Sequence, residues 1–205
     1  MNITIILLDY QRHEHTQRVK DVNLNNAGYG FELVTIDRKG VSAAINEGIA
    51  QATDSVVTMA NDILMPNNWL RDMVEYAQRI PNSGMVGIHT VEGLDGYNPE
   101  LGIWETCPFG NVLITKQAID KVGYFNLALD PYSVNDRDYY YRCHLAGLRN
   151  YYIPGKCEHI GHDVGEQTEY RKMKDQSLNE LWRKGEWWYN YYKTTGNLYL
   201  GYKQD

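Results

Sequence analysis

From residue 3 to residue 88 the chain alternates short apolar, β-branched runs with segments of helical spacing, and this alternation limits the fold more than any other feature. Ile3 to Leu8 reads as a buried strand, and Glu14 to Asn25 as a surface helix. Phe31 to Ile36 is a second strand. Val41, Ala44, Ile45, Gly48, Ile49 and Ala52 then share one helical face. Ser55 to Ala60 is a third strand, and Pro66 opens a helix that runs to Arg79 and stops at Pro81. Met85 to Ile88 is strand-like. Strand and helix in strict succession predict a parallel α/β sheet with crossover helices on its faces. Ligands of such sheets sit at the carboxyl ends of the strands. Asp9, Asp37 and Asp62 each lie just past a strand end, so the acids mark a candidate site.

Composition narrows the class. With 205 residues the chain is long enough for one core without staples, and 43% hydrophobic residues exclude disorder. No run reaches the roughly 18 apolar residues of a membrane span, and Ile3 to Leu8 lacks the basic flank of a signal peptide. Cys107, Cys143 and Cys157 form neither a disulfide framework nor a C-x-x-C pair, so a cytoplasmic setting is expected, the host cytoplasm if the protein is viral. A net charge of −6 argues against a broad electrostatic grip on nucleic acid. The 17 Tyr and 5 Trp against 3 Phe suit a surface that contacts sugars, bases or partners.

The second half differs in character. Val91 to Phe109 is rich in Gly, Pro and Tyr and reads as a long loop, a length usual for functional loops. Gly110 to Thr115 reads as a strand, Lys116 to Val122 as a helix, Asp136 to Ala146 as a helix closed by Gly147, and Arg149 to Ile153 as a strand. Glu158 to His162 reads as a turn, and 167 to 193 as a helix with the aromatic run Trp187-Trp188-Tyr189. The expected organisation is a domain over 1–165, with halves 1–90 and 91–165, followed by a helical extension over 166–205.

The order of motifs resembles the inverting glycosyltransferases of family 2, and the resemblance implies their GT-A fold, an α/β fold with a mixed, mainly parallel sheet flanked by helices. Leu8-Asp-Tyr-Gln-Arg12 is similar to the family's Pro-Thr-Tyr-Asn-Arg, and Ile36-Asp37 to its second-strand acid. Gly40 to Ala50, with Asn46 and Gly48, resembles its Gly-x-x-x-Ala-x-Asn-x-Gly-Ile helix. Met59-Ala-Asn-Asp62, followed by Pro66 and Trp69-Leu70, aligns with its Asp-x-Asp motif. Gly110-Asn-Val-Leu-Ile-Thr and Val122-Gly-Tyr-Phe125 match two further segments. Asn135-Asp-Arg-Asp138, then Arg142 and Gly147, resembles its Glu-Asp-x-Asp-x-x-x-Arg pattern, and Pro154 and His159 fit its ending. The resemblance covers roughly residues 3 to 162. More loosely, a small Tyr-rich transferase looks like those of tailed bacteriophages.

The resemblance implies a nucleotide-sugar donor, with a UDP-sugar favoured, and a Mn²⁺ or Mg²⁺ ion that neutralises the departing diphosphate. It places Asp62 on the metal, with His159 as its companion and His162 as the alternative; imidazole suits Mn²⁺ better than Mg²⁺. The first acid of the metal motif is replaced by Ala60. Asp9, Tyr10, Asp37, Asn46 and Asn61 are the implied nucleotide contacts. Asn46 also reads as an inward polar residue bonded to a loop. Asp136 is the implied general base, and the other reading of that position is a helix cap. Asp138 and Arg142 are implied support on the acceptor side, or an i, i+4 ion pair. Trp104 is expected over the acceptor. The acceptor classes are a glycan, a protein hydroxyl or a hydroxymethylated DNA base. For DNA the one basic stretch is Arg171, Lys172, Lys174, Arg183 and Lys184, which a solvated helix face explains equally well.

Two other classes compete. An inactive sugar-nucleotide-binding module would explain Ala60 but not Asp136 and His159. A nucleotidyltransferase would want a Gly-rich basic loop after the first strand, and Leu8 to Gln11 is not one.

Overall fold

A computed structural model describes residues 1–10, 13–89, 94–131, 134–160 and 169–198. The strands are β1 (Ile3–Leu8), β2 (Glu32–Ile36), β3 (Ser55–Ala60), β4 (Ile63–Leu64), β5 (Ser83–Ile88), β6 (Tyr97–Asn98), β7 (Ile103–Glu105), β8 (Val112–Ile114), β9 (Arg149–Ile153) and β10 (Glu158–His159). The helices are α1 (His13–Asn25), α2 (Val41–Gln51), α3 (Trp69–Arg79), α4 (Lys116–Val122), α5 (Asn135–Leu145) and α6 (Glu169–Thr195).

Eight strands form one sheet in the order β2-β1-β3-β8-β5-β9-β7-β6. Pairings β1·β2, β1·β3 and β5·β9 are parallel, while β8 runs antiparallel between β3 and β5. The sheet is therefore mixed, and only β7 and β8 run against the rest. Its central strands β1, β3, β5 and β8 are buried on both faces, which is why they read as unbroken apolar runs. Ile5, Leu7, Val57, Met59 and Val86 pack with Val19 of α1 and with Trp69, Leu70 and Met73 of α3. Ile6, Val56, Met85 and Ile114 point the other way, onto Ala44, Ile45 and Ile49 of α2, Ala118 of α4 and Tyr139 and Cys143 of α5. Helix α2 lies so close to β1 that a Cβ on Gly48 would stand 2.6 Å from Ile6, so only glycine fits there.

Two expectations are corrected. The stretch from Val91 to Phe109 is not simply a loop: Tyr97 pairs with Trp104 and Asn98 with Ile103, and this hairpin joins β9 through Trp104 and Tyr152. The segment at Glu158 is not a simple turn either. Glu158 and His159 form an antiparallel bridge with Leu64 and Ile63. Strands of two or three residues carry too short a period to register as alternation.

Helix α6 packs on α5. Its Tyr192 is buried and donates its hydroxyl to Asp138 at 2.9 Å.

Candidate active site

Three parallel strands end in register. Leu8 pairs with Ile36 on one side and with Ala60 on the other, so Asp9, Asp37 and Asn61 emerge side by side at one edge of the sheet. Asp62 follows one residue later in the turn to β4. Thr16 donates to Asp9 Oδ1, and Asn61 donates to Thr16 at 3.4 Å. Asn61 is thus buried and its amide N–H is spent on the start of α1, an anchoring role that was not expected of it. Asp37 is exposed, and Tyr10 is half-buried at the strand end.

The bridge between β4 and β10 brings His159 to the acidic edge. His159 Nε2 lies 3.7 Å from Asp62 Oδ2, and Ile160 donates its backbone N–H to the Asp62 carbonyl at 2.8 Å. Both side chains are partly accessible, at 26% and 17%. A carboxylate oxygen and an imidazole nitrogen converging in this way fit a divalent cation of the Mn²⁺ type, which accepts both donors. Among the described residues no group of three His, Cys, Asp or Glu side chains forms a cage of its own. A cation here would therefore draw further oxygens from a bound phosphate or water. His162 lies outside the described residues.

Asn111 was not singled out from sequence. It is buried, its Oδ1 accepts from the Ala60 N–H at 2.8 Å, and its Nδ2 has no hydrogen-bond partner among the described residues. It pins the strand end where the family's first acid is replaced. Asp130 was missed as well. Gly40 has no side chain to cap α2, so Asp130 accepts from Ser42 N at 2.7 Å and from Ala43 N at 3.0 Å, and the Pro131 carbonyl accepts from Val41 N. Burial pushes its carboxyl above the ordinary value despite these bonds. The signal was present in the sequence as a capless Gly40, but the partner is distant in the chain.

Asp136 stands in the first turn of α5, half-buried, with Oδ1 accepting from Arg137 N at 2.8 Å. The residue at the cap position is Val134, not Asn135. Asn135 instead donates to the Ser42 hydroxyl and to the Leu129 carbonyl, tying α5 to the start of α2. Burial first, and the Asp136 carboxylate second, push the Cys107 thiol up. Asp136 also acts on Tyr152, whose hydroxyl accepts from Phe109 N at 3.0 Å. Trp104 of the β6–β7 hairpin packs against Tyr97 (5.0 Å between ring centroids) and edge-on to His89 (5.5 Å).

Asn46, Asp138 and Arg142 follow the second reading given for each: an inward polar residue bonded to a loop, and an i, i+4 ion pair. Asn46 is fully buried; its Nδ2 donates to the Phe125 carbonyl at 2.9 Å and its Oδ1 accepts from Phe125 N at 2.7 Å. A buried amide must satisfy both ends, and Phe125 does so. Asp138 and Arg142 are also buried. Arg142 Nε donates to Asp138 Oδ2 at 3.0 Å, and Nη1 to the Val122 carbonyl at 2.7 Å. Burial works against the Arg142 charge, and the adjacent Asp138 carboxylate, together with Tyr192, Tyr139 and Cys143, more than offsets it. These two residues support α5 from within and do not present their charges to an acceptor. In the basic stretch, Arg183 and Lys184 are exposed and Lys184 pairs with Glu180 at 2.8 Å. The side chains of Arg171, Lys172 and Lys174 lie outside the described residues.

A mixed sheet flanked by helices, with acids gathered on its strand ends, defines an enzyme of GT-A architecture. The model of glycosyl transferase family 2 matches residues 1–131, and the chain belongs to that family. It is accordingly a glycosyltransferase that works on a nucleotide-sugar donor. No curated protein sequence matches the chain. Among solved structures it is similar to the mannosyltransferase PcManGT from Pyrobaculum calidifontis in complex with GDP-Man and Mn²⁺, at 17% identity and a TM-score of 0.63, over 90% of this chain and 64% of that one. It is similar to the catalytic domain of Drosophila beta1,4galactosyltransferase 7 in complex with xylobiose, at 15% identity and a TM-score of 0.57, over 85% and 79%. It is also similar to TarS of S. aureus at 13% identity and a TM-score of 0.57, over 76% of this chain but 36% of that one. At these identities the likeness is one of fold. No helix among the described residues is long and apolar enough to cross a membrane.

Proposed function

We propose that the protein transfers a sugar, with inversion, from a nucleoside diphosphate sugar to an acceptor hydroxyl. The observation that carries this reading is the approach of His159 to Asp62 at the strand ends. Asp62 and His159 would hold a Mn²⁺ or Mg²⁺ ion, which when bound offsets the negative charge of the departing diphosphate. Asp9, Tyr10 and Asp37 are the proposed nucleotide side of the cleft, since their strand ends lie side by side. Asp136, at the start of α5, takes the acceptor proton. As that proton leaves, the acceptor oxygen bonds to the anomeric carbon, the bond from that carbon to the diphosphate oxygen breaks, and the nucleoside diphosphate departs with the electron pair. Trp104 and its aromatic neighbours form the acceptor side. A UDP-sugar is the first donor to test; the similar structures hold GDP-Man with Mn²⁺ in one case and UDP-Gal with manganese in another, both diphosphate sugars.

The test is thermal unfolding with UDP, GDP, TDP and CMP, each with Mn²⁺, Mg²⁺ or EDTA. A ligand at 100 times its Kd adds about 2.7 kcal/mol, or roughly 5–10 °C for a chain of this size. A metal-dependent shift with one nucleoside diphosphate is the expected result. No shift with any of them removes the donor site from these residues.

A further inference from the structure

Helix α6 begins at Glu169, beyond the residues 1–131 that the family model matches, and it packs against the first turn of α5. Trp182, Gly185, Tyr189 and Tyr192 are spaced i, i+3, i+7 and i+10 and share one face of α6. The Arg137 guanidinium lies 4.5 Å from the Trp182 ring centre. Tyr189 packs on Tyr141 at 4.3 Å between ring centroids, and the Tyr192 hydroxyl donates to Asp138 at 2.9 Å.

Gly185 meets Val134, and both residues break a local preference at that one contact. Gly185 stands in the interior of a long helix, where alanine is the better residue. A Cβ there would come within 3.2 Å of Val134. Val134 holds a positive φ of 42° at the cap of α5, a conformation that β-branched residues avoid. Such a backbone persists only where its surroundings hold it. Stability alone would favour alanine at 185 and glycine or asparagine at 134; breaks of this kind gather at functional sites.

The residues on either side of Asp136 are all engaged. Val134, Arg137 and Asp138 meet α6, while Asn135 donates to the Ser42 hydroxyl at the start of α2. Ser42 in turn donates to the Asn126 carbonyl at 3.0 Å, and the Asn126 amide donates to the Tyr192 hydroxyl at 3.3 Å, which closes the frame between α2 and α6. With about 3.6 residues per turn, Asp136 falls on the side of α5 away from α6.

We propose that α6 is a positioning element: the contact of Gly185 with Val134 sets where the first turn of α5 carries the Asp136 carboxylate. Gly185 is thus a positioning residue that acts through Val134. Its role rests on the transferase reading for what Asp136 does, but the positioning is measurable without that reading.

The test uses the full chain with ¹³C-labelled aspartate, the Asp136 carboxyl signal being identified by its loss in Asp136→Asn. Gly185→Ala should move that signal, and Trp187→Ala, on the exposed face of α6, should leave it in place. The Tm of Gly185→Ala should stay near the wild-type value, because alanine favours the helix while crowding opposes it. In Mn²⁺-dependent hydrolysis of UDP-glucose or GDP-mannose its kcat should fall about tenfold with KM unchanged, since a misplacement of about 1 Å costs on the order of 10²-fold. Val134→Ala removes the crowded methyl, so in the double variant Val134→Ala/Gly185→Ala the carboxyl signal and kcat should return to those of Val134→Ala alone. Should Gly185→Ala fail to fold, Val134→Asn makes the same test, since asparagine accepts a positive φ; the signal should move and kcat fall without loss of Tm. An Asp136 signal that ignores these changes, or a kcat that only follows Tm, overturns the proposal and leaves the transferase reading intact. A signal that moves and recovers as expected, in a wild type that hydrolyses neither sugar nucleotide, sustains the positioning and counts against the transferase reading.

Discussion

His159 places Nε2 3.7 Å from Oδ2 of Asp62 because β10 pairs antiparallel with β4, directly after the turn that carries the acid. Replacing either side chain by alanine should weaken Mn²⁺-dependent nucleotide binding by about tenfold or more, the scale on which metal sites respond to lost support. EDTA should bring the wild type to the same end point as Asp62→Ala. Calorimetric titration of nucleotide with and without Mn²⁺ measures both, and wild-type affinity in His159→Ala would take the histidine out of the site.

Asp136→Asn keeps the size and the backbone contact of the first turn of α5 while removing the base. Donor hydrolysis and transfer should fall by about 10²–10⁴-fold. The metal-dependent thermal shift with nucleotide should persist if the carboxylate acts on the acceptor, as proposed. Loss of that shift instead would place Asp136 on the donor.

Asn46 offers a contrast. Its two bonds to Phe125 make it an internal clamp, so Asn46→Ala should lower stability by about 1–3 kcal/mol by leaving the Phe125 backbone groups unpaired. Nucleotide affinity, measured below the lowered Tm, should stay at the wild-type value. A variant of normal stability with impaired nucleotide binding would restore the contact that the motif alone suggested.

The pair Asp138–Arg142 is fully buried and joined by the Tyr192 hydroxyl. Removing Arg142 strands a carboxylate, so Arg142→Ala should cost about 3–5 kcal/mol. At about 2–4 °C per kcal/mol, that is a Tm lower by roughly 6–20 °C. Tyr192→Phe removes one donor to the same carboxylate and should cost about 1–3 kcal/mol. Thermal unfolding compares the two, and an unchanged Tm in Tyr192→Phe would show that α6 is not held through this bond.

Burial pushes the Cys143 and Cys157 thiols up to about 12 from an ordinary value of 9.0. The folded state therefore keeps protons that the unfolded chain releases above pH 9. The stability these thiols contribute is intact below pH 9 and is lost as pH rises from there towards 12, by up to about 1.4 kcal/mol per pH unit for each group. Denaturant unfolding at pH 8, 9, 10 and 11 should show the decline. At pH 8 a thiol reagent should react with neither cysteine until the protein unfolds, since the thiolate is the reactive form.

The elements that position the site were open to sequence reading where they were long. Ile3–Leu8, Ser55–Ala60, Lys116–Val122 and Arg149–Ile153 have the bounds their apolar runs suggest, because a strand buried on both faces or a helix with one apolar face writes its period into neighbouring residues. The hairpin of Tyr97–Asn98 with Ile103–Glu105 and the bridge at Glu158–His159 were read as loop and turn. Each is held by partners far away in the chain rather than by a local pattern. Polar residues divide in the same way. Asp9 and Asp37 could be placed at the strand ends, since strand length alone puts them there. That the polar groups of Asn46, Asp138 and Arg142 are spent inside, that Asp130 caps a helix begun by Gly40, and that Trp182 lies over Arg137 were decided by packing. Sequence by itself determined the alternation of strand and helix and the chemistry at the strand ends, because those depend on near neighbours. Only the tertiary structure decided which polar groups face one another and which face the cleft, because a hydrogen bond or an ion pair depends on distances that the folded chain alone sets.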